Sequence, residues 1–172
     1  TAPGRQGGAA MLVDGPRAIA HLPVAADELG IDFYACSAHK AYGPTGFGAL
    51  AVSSKRIEEM RPWHGGGDMI RTVSFEGSTW NDAPYKFEAG TPDMAGAVGF
   101  AAALDYIEQL GLENIHAHED ALLRYATEKM RPLPGVKLIG TAANKGGILS
   151  FTMDGPHPSD IGAILDQMGI AI

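Results

Sequence analysis

The chain has 172 residues, 45% of them hydrophobic, enough for one sizeable core or for one domain and part of another. A formal charge of -7 and a pI near 5.2, with only 13 scattered Lys and Arg, exclude the clustered basic face that nucleic acids need. A single cysteine excludes a disulfide framework and a multi-cysteine metal cluster, and no apolar run reaches the roughly 20 residues of a membrane span.

These features predict a globular protein of a reducing compartment, with the cytoplasm as its expected location. The opening T-A-P-G-R-Q-G-G-A-A lacks the apolar core of a signal peptide. Glycine is over-represented at 23 residues, roughly 13% against a usual 7%, which implies many tight turns or close backbone approaches.

In chain order, Ala10-Met11-Leu12-Val13 reads as a short strand ending in Asp14, and Ile31 to Cys36 as a second. Gly46 to Ser53 reads as a third, followed by a short helix that Ser54 could cap. Continuous apolar strands of this kind predict a sheet covered on both faces. Between Gly65 and Pro92 the pattern loosens, and β-rich pieces around Glu76-Gly77 and Asn81-Asp82 predict an irregular hairpin.

From Met94 to Leu110 apolar residues recur at three- and four-residue steps, with Gly111 as the C-cap. A second helix is expected from Leu112 to Met130. Pro132 to Gly135 breaks the pattern, Val136 to Ile139 and Gly147 to Met153 read as strands, and Ser159-Asp160 caps a last helix ending near Met168. Another strand is expected to begin at Gly169 to Ile172, so both ends read as cut. The change from β-α alternation to an α+β layout predicts a boundary near residue 110.

The chemistry concentrates in S-A-H-K-A-Y-G-P-T-G, Ser37 to Gly46. A lysine after a buried strand, on a loop of small residues, is expected to sit partly out of water, where its neutral amine condenses with an aldehyde to give a Schiff base. The plain alternative is a surface lysine. Ser37, His39 and the free backbone amides of the Gly43 to Gly46 turn are groups a phosphate would use. Asp14, at the carboxyl end of a strand, is where ligands of parallel sheets bind, and it can hold the proton of a pyridine nitrogen. A turn aspartate is its alternative.

With L-V-D-G-P-R-A, D-F-Y-A-C-S-A-H-K-A-Y-G-P-T-G-F-G-A-L, G-G-G-D-M-I and F-E-A-G-T-P-D together, the chain resembles pyridoxal-phosphate enzymes of the class V aminotransferase family, most of all the SufS-type (group II) cysteine desulfurases. The resemblance implies an α/β fold of the PLP-dependent transferase fold type I. Residues 1–110 would be part of the large PLP-binding mixed-sheet domain, and residues 111–172 part of the small α+β C-terminal domain. It further implies that Lys40 binds pyridoxal 5'-phosphate and later moves a proton at the substrate α-carbon, that Asp14 pairs with the ring nitrogen, and that Ser37 and His39 bind the phosphate. Thr91 would reach the phosphate of the neighbouring subunit of a homodimer.

The family's D-G-A-Q-A motif places a glutamine on the phenolic oxygen, where this chain reads D-G-P-R-A and offers Arg17, a donor with permanent charge. The implied reaction converts L-cysteine to L-alanine and leaves an enzyme persulfide, with sulfur passing to an acceptor protein for iron-sulfur cluster assembly. The residue stacking on the cofactor belongs upstream of Thr1, and the substrate-carboxylate arginine and nucleophilic cysteine belong downstream of Ile172. Cys36, ending an apolar strand, reads as an inert small hydrophobe.

Two other readings stay open. One is selenocysteine lyase or another class V activity; the other is a non-catalytic piece of a split enzyme. His116 and His118 stand two apart on a helix, which suits a solvated face better than a metal pair. The Gly65 to Asp68 and Gly43 to Gly48 runs lack the ending of a nucleotide loop.

Overall fold

A computed structural model describes residues 8–143 and 145–172. The expectation about a leader in the first ten residues falls largely outside them. The chain divides into two compact units, the first running through Leu112 and the second from Glu113 to Ile172.

In the first unit, β1 (Leu12–Asp14), β2 (Phe33–Ser37) and β3 (Gly48–Val52) form a three-stranded sheet in that order. β1 runs parallel to β2 with Asp14 opposite Ala35, whereas β3 runs antiparallel to β2 with Gly48 opposite Ser37. A parallel pair requires a crossover, and here it carries the helical turn Ala18–Ala20 and the one-turn helix α1 (Ala26–Leu29), which closes on Gly30 at φ 68°. α2 (Ser54–Glu59) starts from Ser53 rather than Ser54, and no side chain caps it.

The hairpin of β4 (Ile70–Val73) and β5 (Ser78–Trp80) matches the irregular pattern of the sequence, with a register shift between Ile70 and Thr72. α3 (Met94–Leu110) begins at Asp93, whose carboxylate accepts from the Gly96 amide at 2.8 Å, and ends at Gly111 with φ 79°. Its buried residues Gly96, Phe100, Ala103 and Ile107 recur on one face.

The second unit holds α4 (Leu112–Met130, entering from the first), the antiparallel pair β6 (Val136–Ile139) and β7 (Ser150–Met153), and α5 (Pro158–Gln167). α5 is capped by His157, whose ring accepts from the Ser159 amide, and not by Ser159 or Asp160. Proline at the first helical position lacks the amide that would need a partner, which moves the start upstream. Residues 169–172 form no strand.

Coverage of the sheet differs from expectation. β1 alternates exposed and half-buried residues, and four of the five residues of β3 are exposed, with Leu12 at 62% and Leu50 at 51%. The apolar character of these strands therefore reflects surface that nothing among the described residues covers. No described helix is long and apolar enough to cross a membrane.

Candidate active site

The carboxyl edge of β1 and β2 collects most of the predicted site residues. Residues paired in register point to the same side of a sheet, and alternate residues along a strand share a face. Asp14 is paired with Ala35, so Asp14, Ala35 and Ser37 share one face. β2 runs straight into the helical turn Ala38–Lys40, so the amine leaves the same edge of the sheet as Asp14.

The turn is built from alanines. Ala38 and Ala41 are fully buried, while His39 and Lys40 between them are exposed. The Ala38 amide donates to the Phe47 carbonyl, and the Ala38 carbonyl accepts from Ala41 at 2.8 Å and Gly43 at 2.9 Å. A side chain at Gly43 would crowd that carbonyl at 3.0 Å and the Ala38 methyl at 3.1 Å, so the tight return favours glycine. Ser37 Oγ and His39 Nδ1 lie 3.4 Å apart, so the hydroxyl and the imidazole are within reach of each other at the start of the turn.

The loop after Lys40 rests on α3. Gly99 presents its bare backbone to Pro44, the rings of Phe47 and Phe100 meet edge to face with centroids 5.9 Å apart, and Tyr42 and Tyr106 do the same at 5.9 Å. Small residues on one helix face thus bring a rigid element against the segment that carries the amine.

Lys40 is exposed, which corrects the expectation of a partly desolvated lysine, and Asp14 is exposed as well. Arg17 is exposed just ahead of the turn Ala18–Ala20. Thr91 stands on a separate loop before α3. That loop is tied to the glycine run by the Gly90 amide, which donates to Gly67 at 2.8 Å, and by Ala89 packing on Gly66. Cys36 is half-buried and its thiol donates to the Ala49 carbonyl at 3.4 Å across the β2–β3 pair.

One contributor was not singled out by the sequence. Tyr34, in β2, is 7% exposed and donates its hydroxyl to the Gly15 carbonyl at 3.0 Å. Burial first, and the nearby Cys36 thiol second, push its phenol above the usual value. Its only signal was the tyrosine of D-F-Y on the strand next to the one that ends in the D-G turn.

An open cavity of about 830 Å³ lies elsewhere, between the end of α2 and the hairpin, bordered by Met60, Arg61, Trp80 and Lys86. Lys86 is committed there to the Ile57 carbonyl at 2.7 Å, closing α2. The cavity holds none of the predicted site residues, and the site is assigned instead by the donor set at the sheet edge. No group of three or more potential metal ligands occurs among the described residues.

The class V aminotransferase model matches residues 2–172. The chain belongs to the class V aminotransferase family. A cysteine desulfurase of Klebsiella pneumoniae subsp. pneumoniae is 50% identical over 168 residues, covering 97% of this chain and 41% of the relative. The crystal structure of the Escherichia coli cysteine desulfurase CsdA superposes with a TM-score of 0.91 at 38% identity, over 97% of this chain and 41% of that one. A mutant of C-DES with glycine covalently linked to its PLP cofactor matches with a TM-score of 0.82 at 28% identity, covering 94% of this chain and 43% of that chain. The family chain described here therefore spans less than half the length of these relatives, and its fold is that of PLP-dependent cysteine desulfurases, in part.

Proposed function

We propose that this chain is the lysine-bearing part of a pyridoxal-phosphate-dependent cysteine desulfurase, acting as a homodimer in the cytoplasm. One observation carries the reading: Asp14 ends β1 in register with Ala35 of the parallel β2, and β2 continues into the turn bearing Lys40, with Ser37 and His39 alongside. An amine, a carboxylate, a hydroxyl and an imidazole at one strand edge fit an aldehyde, a ring nitrogen and a phosphate on one small molecule.

When bound, the cofactor supplies an electron sink for a carbanion at the substrate α-carbon. Lys40 holds the cofactor by its amine and moves the proton at that carbon. The Asp14 carboxylate keeps the ring nitrogen protonated. Ser37 and His39 bind the phosphate, with Thr91 of the second copy completing that subsite, and the Arg17 guanidinium offers a donor to the phenolic oxygen. The substrate is L-cysteine, the products are L-alanine and an enzyme persulfide, and the sulfur passes to an acceptor protein for iron-sulfur cluster assembly. The persulfide-forming thiolate is a cysteine other than Cys36, whose thiol is already engaged with Ala49.

In the full-length protein, Lys40→Ala is expected to remove the borohydride-sensitive near-visible absorption band and to lower alanine formation from L-cysteine by at least about a hundredfold, the scale of a lost acid-base group. A variant that keeps both would refute the assignment. Alanine released only from L-selenocysteine would move the reading to a selenocysteine lyase.

A further inference from the structure

The turn Asp14-Gly15-Pro16-Arg17 carries two of the residues assigned to the cofactor, yet neither side chain makes a hydrogen bond among the described residues. What holds the turn is its backbone. The Gly15 amide donates to the Ala35 carbonyl at 3.0 Å, and the Gly15 carbonyl accepts twice, from the Ala18 amide at 3.0 Å and from the Tyr34 hydroxyl at 3.0 Å. Gly15 is buried, and a side chain there would run into the Tyr34 ring, its Cβ only 2.6 Å from the phenolic oxygen.

A buried hydroxyl costs free energy unless it is bonded, and phenylalanine would supply the same ring without that cost. Packing alone therefore does not account for the hydroxyl. Its bond joins β2, the strand leading to Lys40, to the first residue after Asp14. It also tightens the carbonyl that starts the turn carrying Arg17.

We infer that Tyr34 is a positioning residue: through the Gly15 carbonyl it sets where the Asp14 carboxylate stands against the ring nitrogen of the bound cofactor. This rests on the reading of Asp14 given above. The residue touches neither cofactor nor substrate and acts only through the Gly15 backbone.

The test compares Tyr34→Phe with Asp32→Asn, which cuts a separate tie, to Met11 and Arg56, at the amino end of β2, in the full-length protein. Without cofactor, the Gly15 and Ala18 amides of Tyr34→Phe are expected to exchange their hydrogens about two- to tenfold faster, the effect of one net hydrogen bond. With pyridoxal phosphate, Tyr34→Phe is expected to weaken cofactor binding by a similar factor. It should also shift the pH midpoint of the visible band in the same direction as Asp14→Asn. Asp32→Asn should lower the melting temperature while leaving band, midpoint and affinity as in the wild type.

Unchanged amide exchange in Tyr34→Phe overturns the positioning role whatever the cofactor does. So does an unchanged midpoint and affinity in Tyr34→Phe when Asp14→Asn has moved both. If Asp14→Asn moves neither, or the wild type takes up no pyridoxal phosphate, the reading of Asp14 falls and this inference falls with it.

Discussion

Asp32 is the residue on which the amino ends of the sheet converge. Its carboxylate accepts from the Met11 amide at 2.8 Å and from the Arg56 guanidinium at 3.0 Å, and Arg56 reaches on to Glu59 at 2.8 Å. The Met11 amide first and Arg56 second hold its carboxyl below the ordinary value of 3.8. A lowered folded-state pKa means that the unfolded chain takes up the proton first as pH falls. The stabilisation is therefore complete above the ordinary value and is lost below it, as pH drops through the folded-state value. Urea unfolding midpoints measured from pH 6 downward should fall in the wild type, and Asp32→Asn should flatten that part of the profile. At the same scale, Lys40, His39 and Asp14 were legible as chemistry because each side chain has few structural reasons to sit beside a glycine turn. Tyr34 was not, since its role depends on a contact with a residue 19 positions away.

At the scale of elements, α3 decides how firmly the lysine loop is held. Gly99 in mid-helix costs about 1 kcal/mol of helix propensity relative to alanine. A Cβ there would stand 3.2 Å from Pro44, closer than ordinary packing. Filling the site with a larger side chain brings an overpacking cost of about 1–3 kcal/mol, so for Gly99→Leu the clash outweighs the gain in propensity. Thermal or urea unfolding should show a net loss of stability, and no loss would mean that the helix does not brace the loop. The helices themselves were readable from the 3.6-residue period and from Gly111. Their starts were less so: Ser54 and Ser159 are plausible caps by residue type, but α2 begins after Ser53 with no side-chain cap and α5 begins after His157. Several polar residues compete at a helix start, and backbone geometry chooses among them.

For the whole molecule, the apolar strands of the first unit lie open. Leu12 of β1 and Leu50 of β3 are more than half exposed, as is Val98 on α3, and Phe75 at the hairpin tip is fully so. Large apolar side chains left this open are available to a partner surface or a hydrophobic probe. A preparation of these 172 residues alone should enhance the fluorescence of a hydrophobic dye such as ANS, and Leu50→Lys should reduce that signal; a dark solution would mean that the faces are covered, by self-association or otherwise. Residue types and their periods were sufficient for the family resemblance and for most of the strands and helices, though not for the strand expected at 169–172, because turn chemistry and apolar repeats are written locally. Only the tertiary structure decided that the strands are exposed, that Lys40 faces water, that the Tyr34 hydroxyl bonds the Gly15 carbonyl, and that α3 packs on the loop after Lys40. Those are properties of contacts between residues distant in the chain, which a local pattern does not encode.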